Sequence, residues 1–208
     1  MDTLIFLGYE ILSALIPFLI VFALFRNAQK KKGISYTRYS IIASVVFATY
    51  LVGVYHFTSA GTIYDGMMYK LEWRQDQFNW IPFSNNIDVV AYILNVVLFV
   101  PYGLLVPITW EKLNNSTNIL ITGSLLTVLI EASQLLNNRR TDIDDILLNI
   151  LGVVVGFFLF KLFDRITNSK FNVKNPVTAE LLICIFAVFL GRFFLYNEMG
   201  LAKILYGF

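Results

Sequence analysis

Six stretches of the chain are each apolar for long enough to approach the span of a bilayer: Leu4 to Phe25, Ser40 to Ala60, Val89 to Trp110, Ile119 to Leu136, Ile146 to Phe163 and Thr178 to Tyr196. A spanning helix needs about 20 such residues. Hydrocarbon offers no partner to an unsatisfied peptide group, so runs of this kind fold as helices. The runs predict an all-α fold, a polytopic membrane helical bundle of about six transmembrane helices. Composition agrees: 57% of residues are hydrophobic and 14% charged, against roughly 45–50% and 25% in soluble domains. An aromatic share of 16% without low-complexity tracts excludes a disordered chain. A single cysteine, Cys184, cannot close an intrachain disulfide, and no Cys/His spacing suggests zinc. The net charge of +2 is too small to argue for a nucleic-acid partner.

No internal repeat stands out, so residues 1–208 are read as one transmembrane domain. The first run carries Asp2 where a cleavable signal would be basic and ends against Arg26, Lys30, Lys31 and Lys32, so it is expected to remain as an anchor. Pro101 and Pro107 are expected to kink the third helix. Basic residues are retained on the cytoplasmic side. Arg26, Lys30, Lys31, Lys32, Arg38, Lys112, Lys161, Arg165, Lys170 and Lys174 make ten on one side, against Lys70, Arg74, Arg139, Arg140 and Lys203, five on the other. The asymmetry predicts that both termini are extracytoplasmic. The loop from Gly61 to Asp88, with Tyr64, Tyr69, Trp73, Phe78, Trp80 and Phe83, is then external and suited to lying in the headgroup layer.

A charge at mid-bilayer costs about 2.5–3.5 kcal/mol, so ionisable and amide groups persist in spanning helices where they pair or line a cavity. Glu10, His56, Asn95, Glu131, Gln134, Asn149 and Arg192 are such groups, and the predicted orientation puts all of them in the outer half. Asp145, Asn149, Gly152 and Gly156 share one helix face; the glycines read as a close-packing motif, and Glu131 or Gln134 are the expected partners of the Asn149 amide. The hairpin from Asn137 to Asp145 holds Arg139, Arg140, Asp142, Asp144 and Asp145. Thr141 with Asp144 resembles a capping box. Three acids in four residues also call for cations: the adjacent arginines, Arg192, Lys70 or Arg74, or a bound metal or cationic ligand. A divalent cation on Asp142, Asp144 and Asp145 is the one cofactor considered.

Trp80-Ile81-Pro82-Phe83, then Asn95 with Phe99, Pro101 and Gly103, then Glu131-x-x-Gln134, then Arg139-x-x-Asp142-x-Asp144-Asp145-x-x-x-Asn149-x-x-Gly152-x-x-x-Gly156, resemble the VanZ-like family of bacterial membrane proteins over about residues 80–160. The stretch from Gln134 to the arginine is a residue shorter than the family pattern, so Arg139 or Arg140 fills that position; spacing to Asp142 favours Arg139. The resemblance implies a helical fold, a bacterial plasma membrane and low-level resistance to teicoplanin, a lipid-tailed glycopeptide, without supplying a mechanism. Two functions suit the residues. One is a binding protein whose outward-facing cavity, built from Asn95, Glu131, Gln134, Arg139, Arg140, Asp142, Asp144, Asp145, Asn149 and Arg192, holds the head of an amphiphilic glycopeptide or lipid-linked cell-wall precursor among membrane lipids. The other is an intramembrane enzyme acting on a lipid-linked headgroup, with Glu131 the best general base. A transporter ranks last, because the polar groups do not continue into the inner half.

Overall fold

The computed structural model describes residues 2–69, 77–84, 88–173 and 175–207. Lys70, Trp73, Arg74 and Lys174, which figure in the charge and aromatic patterns above, lie outside the described residues. The chain forms a bundle of helices: α1 (Asp2–Lys31), α2 (Arg38–Phe57), α3 (Ile63–Tyr69), α4 (Val89–Thr109), α5 (Ser116–Gln134), α6 (Ile143–Thr167), α7 (Ala179–Leu195) and α8 (Glu198–Tyr206). Five of them, α1, α2, α4, α5 and α6, are long and apolar enough to span, and α7 with α8, bent by 42°, counts as a sixth if the pair is one span. The protein is therefore an all-α, multi-pass membrane protein. The fifth run, short in sequence, extends to 25 residues because Asp142 caps its start and Asn168 in a left-handed conformation ends it. Helix α4 runs as one element through both Pro101 and Pro107.

Backbone proximity sets the packing. A methyl group added to Gly152 would overlap the Val96 carbonyl, one on Gly156 the Val100 carbonyl, and one on Gly103 the Val153 carbonyl. The glycine face thus belongs to a parallel α4/α6 pair. Antiparallel α1 and α7 meet similarly, with a Cβ on Gly191 falling 2.8 Å from the Ser13 carbonyl oxygen.

The α4/α6 pair carries a local symmetry that the sequence reading did not single out. Strand β1 (Phe78–Asn79) pairs in parallel with β2 (Thr141–Asp142), and each leads towards one of the two helices. Asp88 caps α4 through the amides of Val90 and Ala91, and Asp142 caps α6 through that of Asp144. Seven residues after each capping aspartate stands an asparagine, Asn95 and Asn149. Two turns of helix bring both amides to the same depth.

Buried polar clusters lie at both ends, with Ala14, Phe18, Leu51, Tyr55, Ile185 and Val188 buried in the layer between. At the end opposite Glu131, Arg26 donates to both Glu180 oxygens, from Nε at 3.1 Å and from Nη2 at 2.6 Å. The Ser44 hydroxyl and the Asn175 amide donate to the same carboxylate, and Arg26 also reaches the Ser40 carbonyl at 3.0 Å. The expectation that buried polar groups are confined to one half is overturned. The reason is that α1 continues past Phe25, so Arg26 is a helix residue facing α7 rather than part of a loop.

Candidate functional site

Asn95, Glu131, Gln134, Arg139, Asp145 and Asn149 line one cavity of about 280 Å³, whose lining is completed by Phe57, Thr58, Ala91 and Leu94. Parallel α4 and α6 supply Asn95, Asp145 and Asn149; antiparallel α5 supplies Glu131 and Gln134; the α5/α6 hairpin supplies Arg139. Asn138 takes a left-handed backbone at φ 57°, which reverses the chain there and lets the Arg139 amide bond the Gln134 carbonyl at 3.3 Å.

Most of the walls are tied down. The Asn95 amide donates to Asp145 at 2.5 Å, and the Asn149 amide donates to the Thr127 hydroxyl at 2.8 Å. Thr127, one turn before Glu131 on α5, is thus the partner of Asn149 in place of Glu131 or Gln134. A polar threonine on the buried side of an apolar run was the available signal. Gln134 Nε2 donates to the Thr58 carbonyl at 2.6 Å, and Arg139 Nη1 to the same oxygen at 3.0 Å. The end of α2 is in this way held against the hairpin by two donors on one acceptor.

Two atoms are not tied down. Glu131 is 3% exposed and Asn149 2%, yet Glu131 Oε2 and Asn149 Oδ1 have no hydrogen-bond partner among the described residues. Both are acceptors. A buried polar atom left without a partner costs about 1–3 kcal/mol, so a cavity holding two such acceptors beside a guanidinium is prepared for a guest that brings donors. Arg139 lines the cavity; Arg140 is exposed and does not.

The remaining hairpin acids face elsewhere. Asp142 is the N-cap of α6 and accepts from Asn79 Nδ2 at 3.2 Å through each oxygen, so it takes the capping role that Thr141 and Asp144 were expected to share. Thr141 instead donates its hydroxyl to the Glu131 carbonyl at 3.4 Å. Asp144 accepts the Phe83 amide at 2.8 Å and the Tyr92 hydroxyl at 2.5 Å. The donors in these contacts to Asp142 and Asp144 are neutral groups. Among the described residues no group of three His, Cys, Asp or Glu side chains is arranged to hold a metal ion. The bonds of Asp142 and Asp144 fasten the segment 78–84, whose Trp80 and Ile81 stand 68% and 69% exposed.

Arg192 lies outside this cavity. Its Nε donates to Glu10 at 2.7 Å and its Nη1 to the Ala60 carbonyl, while His56 Nδ1 is 2.6 Å from the other Glu10 oxygen. These three line a second cavity of about 450 Å³. Equal depth had suggested that Arg192 joins the Glu131 group; depth fixes height along the bundle and not position around it, and α7 stands beside α1 rather than α6. One turn separates the two cavities: the Thr58 carbonyl is held from the first, the Ala60 carbonyl from the second, and the Ser59 carbonyl between them by Asn137 Nδ2 at 2.9 Å.

The family model of VanZ/LLP1 matches residues 11–164, and the chain belongs to that family. The match takes in the whole Glu131 cavity and His56 but stops short of α7, and Glu10 precedes it. No curated protein and no solved structure matches the chain.

Proposed function

We propose, from VanZ/LLP1 membership and the geometry of the Glu131 cavity, that the protein sits in a bacterial plasma membrane with this cavity facing outward, where it holds the polar head of an amphiphile. The amphiphile is a lipid-tailed glycopeptide of the teicoplanin type or a lipid-linked cell-wall precursor, and the consequence is low-level resistance to the tailed drug. The observation that carries the reading is the pair of buried acceptors without donors, Glu131 Oε2 and Asn149 Oδ1, beside Arg139. An amine or hydroxyl of the head satisfies the acceptors, and the guanidinium takes a carboxylate or phosphate oxygen. Phe57 and Leu94, both exposed at the rim, give the tail an apolar exit towards lipid. Sequestration of this kind reduces drug action without any covalent change.

The test is susceptibility of an expressing host to teicoplanin, to tail-less vancomycin and to a teicoplanin core stripped of its acyl chain. Protection restricted to the tailed drug, and lost in a Glu131→Gln variant that still reaches the membrane, is the expected result. Equal protection against vancomycin, or an unimpaired Glu131→Gln strain, overturns the reading. One observation favours a second reading, an intramembrane enzyme: the unpartnered Glu131 oxygen is free to take a proton from a substrate held by Arg139. The two separate by mass spectrometry of the bound amphiphile, which a binding protein returns unchanged and an enzyme returns altered in its headgroup.

A further inference from the structure

The second cavity is built differently from the first. Its floor is the buried Glu10 carboxylate, already shared between Arg192 and His56. Its rim carries Asp65 and Glu198, and neither has a cation partner among the described residues. Asp65 Oδ2 accepts the Thr62 amide at 2.6 Å and hydroxyl at 2.9 Å, leaving Oδ1 open. A third cavity of about 240 Å³ adjoins and shares Asp65, Tyr69, Tyr196 and Glu198, adding Tyr64. Asn137 lines the same space with a buried Oδ1 that has no donor among the described residues. The Tyr196 ring already packs against Tyr9 and carries the Arg192 guanidinium 5.2 Å from its centroid, so Tyr64 and Tyr69 are the rings left to a ligand. Two carboxylates without a cation partner, an unsatisfied acceptor and these two rings around a joint cavity match what an organic cation requires: charge opposite, acceptors for N–H, and ring faces.

We infer that the adjoining cavities bounded by Glu10, His56, Asp65, Tyr69, Tyr196 and Glu198 form an ammonium site, separate from the Glu131 cavity, that takes the amine of a lipid headgroup or of a small free amine. The site lies at the same end of the bundle as the Glu131 cavity. It depends on Glu10 and on α7 and α8, which lie outside the family match, so it is a property of this chain rather than one the family assignment supplies.

The test uses the purified full chain in nanodiscs, with thermal melting as the readout and ethanolamine, choline and inorganic phosphate as probes at matched ionic strength. Saturable stabilisation by the two ammonium probes and none by phosphate is expected. The Asp65→Asn/Glu198→Gln double variant keeps an acceptor for Thr62 and is expected to bind both ammonium probes about tenfold more weakly. Tyr69→Leu is expected to lose choline more than ethanolamine, since a quaternary ammonium has no N–H and relies on the rings. Nanodiscs of phosphatidylethanolamine against phosphatidylglycerol distinguish the sources. A shift present in the first bilayer and displaced by free ethanolamine assigns the lipid headgroup; equal binding of free amines in both assigns the small amine. Absence of saturable stabilisation, undiminished binding in the double variant, or loss of ammonium binding in Glu131→Gln overturns the inference, the last because it places the ammonium in the other cavity.

Discussion

At the scale of single residues, the interior of this bundle is decided by which buried polar atom has a partner. Glu180 is fully buried and holds Arg26, Ser44 and Asn175 together, so Glu180→Gln leaves a buried guanidinium uncompensated. Breaking such a pair costs about 3–5 kcal/mol, whereas replacing both partners by apolar groups is close to neutral. The expected outcome is a large loss of folded protein in Glu180→Gln, with recovery in an Arg26→Met/Glu180→Met double variant, measured as melting temperature and yield in detergent. A double variant as unstable as the single would show that the network acts through more than charge. Thr127→Val removes the acceptor of a buried Asn149 amide and is expected to cost about 1–3 kcal/mol. Adding Asn149→Leu then removes the orphaned group, so the pair should be strongly non-additive in a double-mutant cycle; additivity would break the assigned contact.

At the scale of elements, the sequence was legible wherever apolar period and length decide the outcome, and less so where one helix chooses among neighbours. All six runs became helices, and Glu131, Gln134, Arg139, Asp145, Asn149 and Asn95 meet in one cavity because a short hairpin forces α5 and α6 together and the glycines bring α4 against α6. The identity of that glycine-face neighbour was not legible, since Gly152 and Gly156 state that some backbone comes close without saying whose. Asp142 and Asp144 were read with the cavity because they are adjacent in sequence. One caps a helix and the other faces Tyr92, the divergence that a helix start imposes on successive side chains. The packing makes its own prediction. Gly152→Leu, and already Gly103→Ala, must push α4 off α6, since even a methyl group there meets backbone that cannot move alone. Overpacking of this kind costs about 1–3 kcal/mol or more. Gly53→Ala, where nothing lies within 4 Å of an added Cβ, is the matched control and should fold normally. Reduced abundance of both packing variants with an unaffected control is the expected pattern; a heat-resistant Gly152→Leu protein would show that the face looks at lipid.

For the whole molecule, the question that packing does not answer is which end faces out. The bundle separates its exposed charges: Lys30, Lys31, Lys32, Arg38, Lys112, Arg165 and Lys170 gather at the end where α1, α4 and α6 finish, while Arg139, Arg140 and Lys203 stand at the end holding both polar cavities. Moving Arg26 from loop to helix interior, where Glu180 neutralises it, reduces the first group by one and leaves the bias in place. If basic loops are retained inside, the cavity end is expected outside, the side from which the proposed glycopeptide and headgroup amine would reach it. Cysteines at Ser84, in the segment fastened by Asp144, and at Lys32, in the turn after α1, sample the two ends. The native Cys184 is buried and stays silent. In intact cells an impermeant thiol reagent is expected to label the Ser84→Cys protein, and the Lys32→Cys protein only after permeabilisation. Labelling at residue 32 alone would invert the bundle. The Glu131 cavity would then open to the cytoplasm, beyond the reach of a drug that acts on the outer surface, and a teicoplanin-binding role would fall while the helix packing and both buried ion pairs stood unchanged.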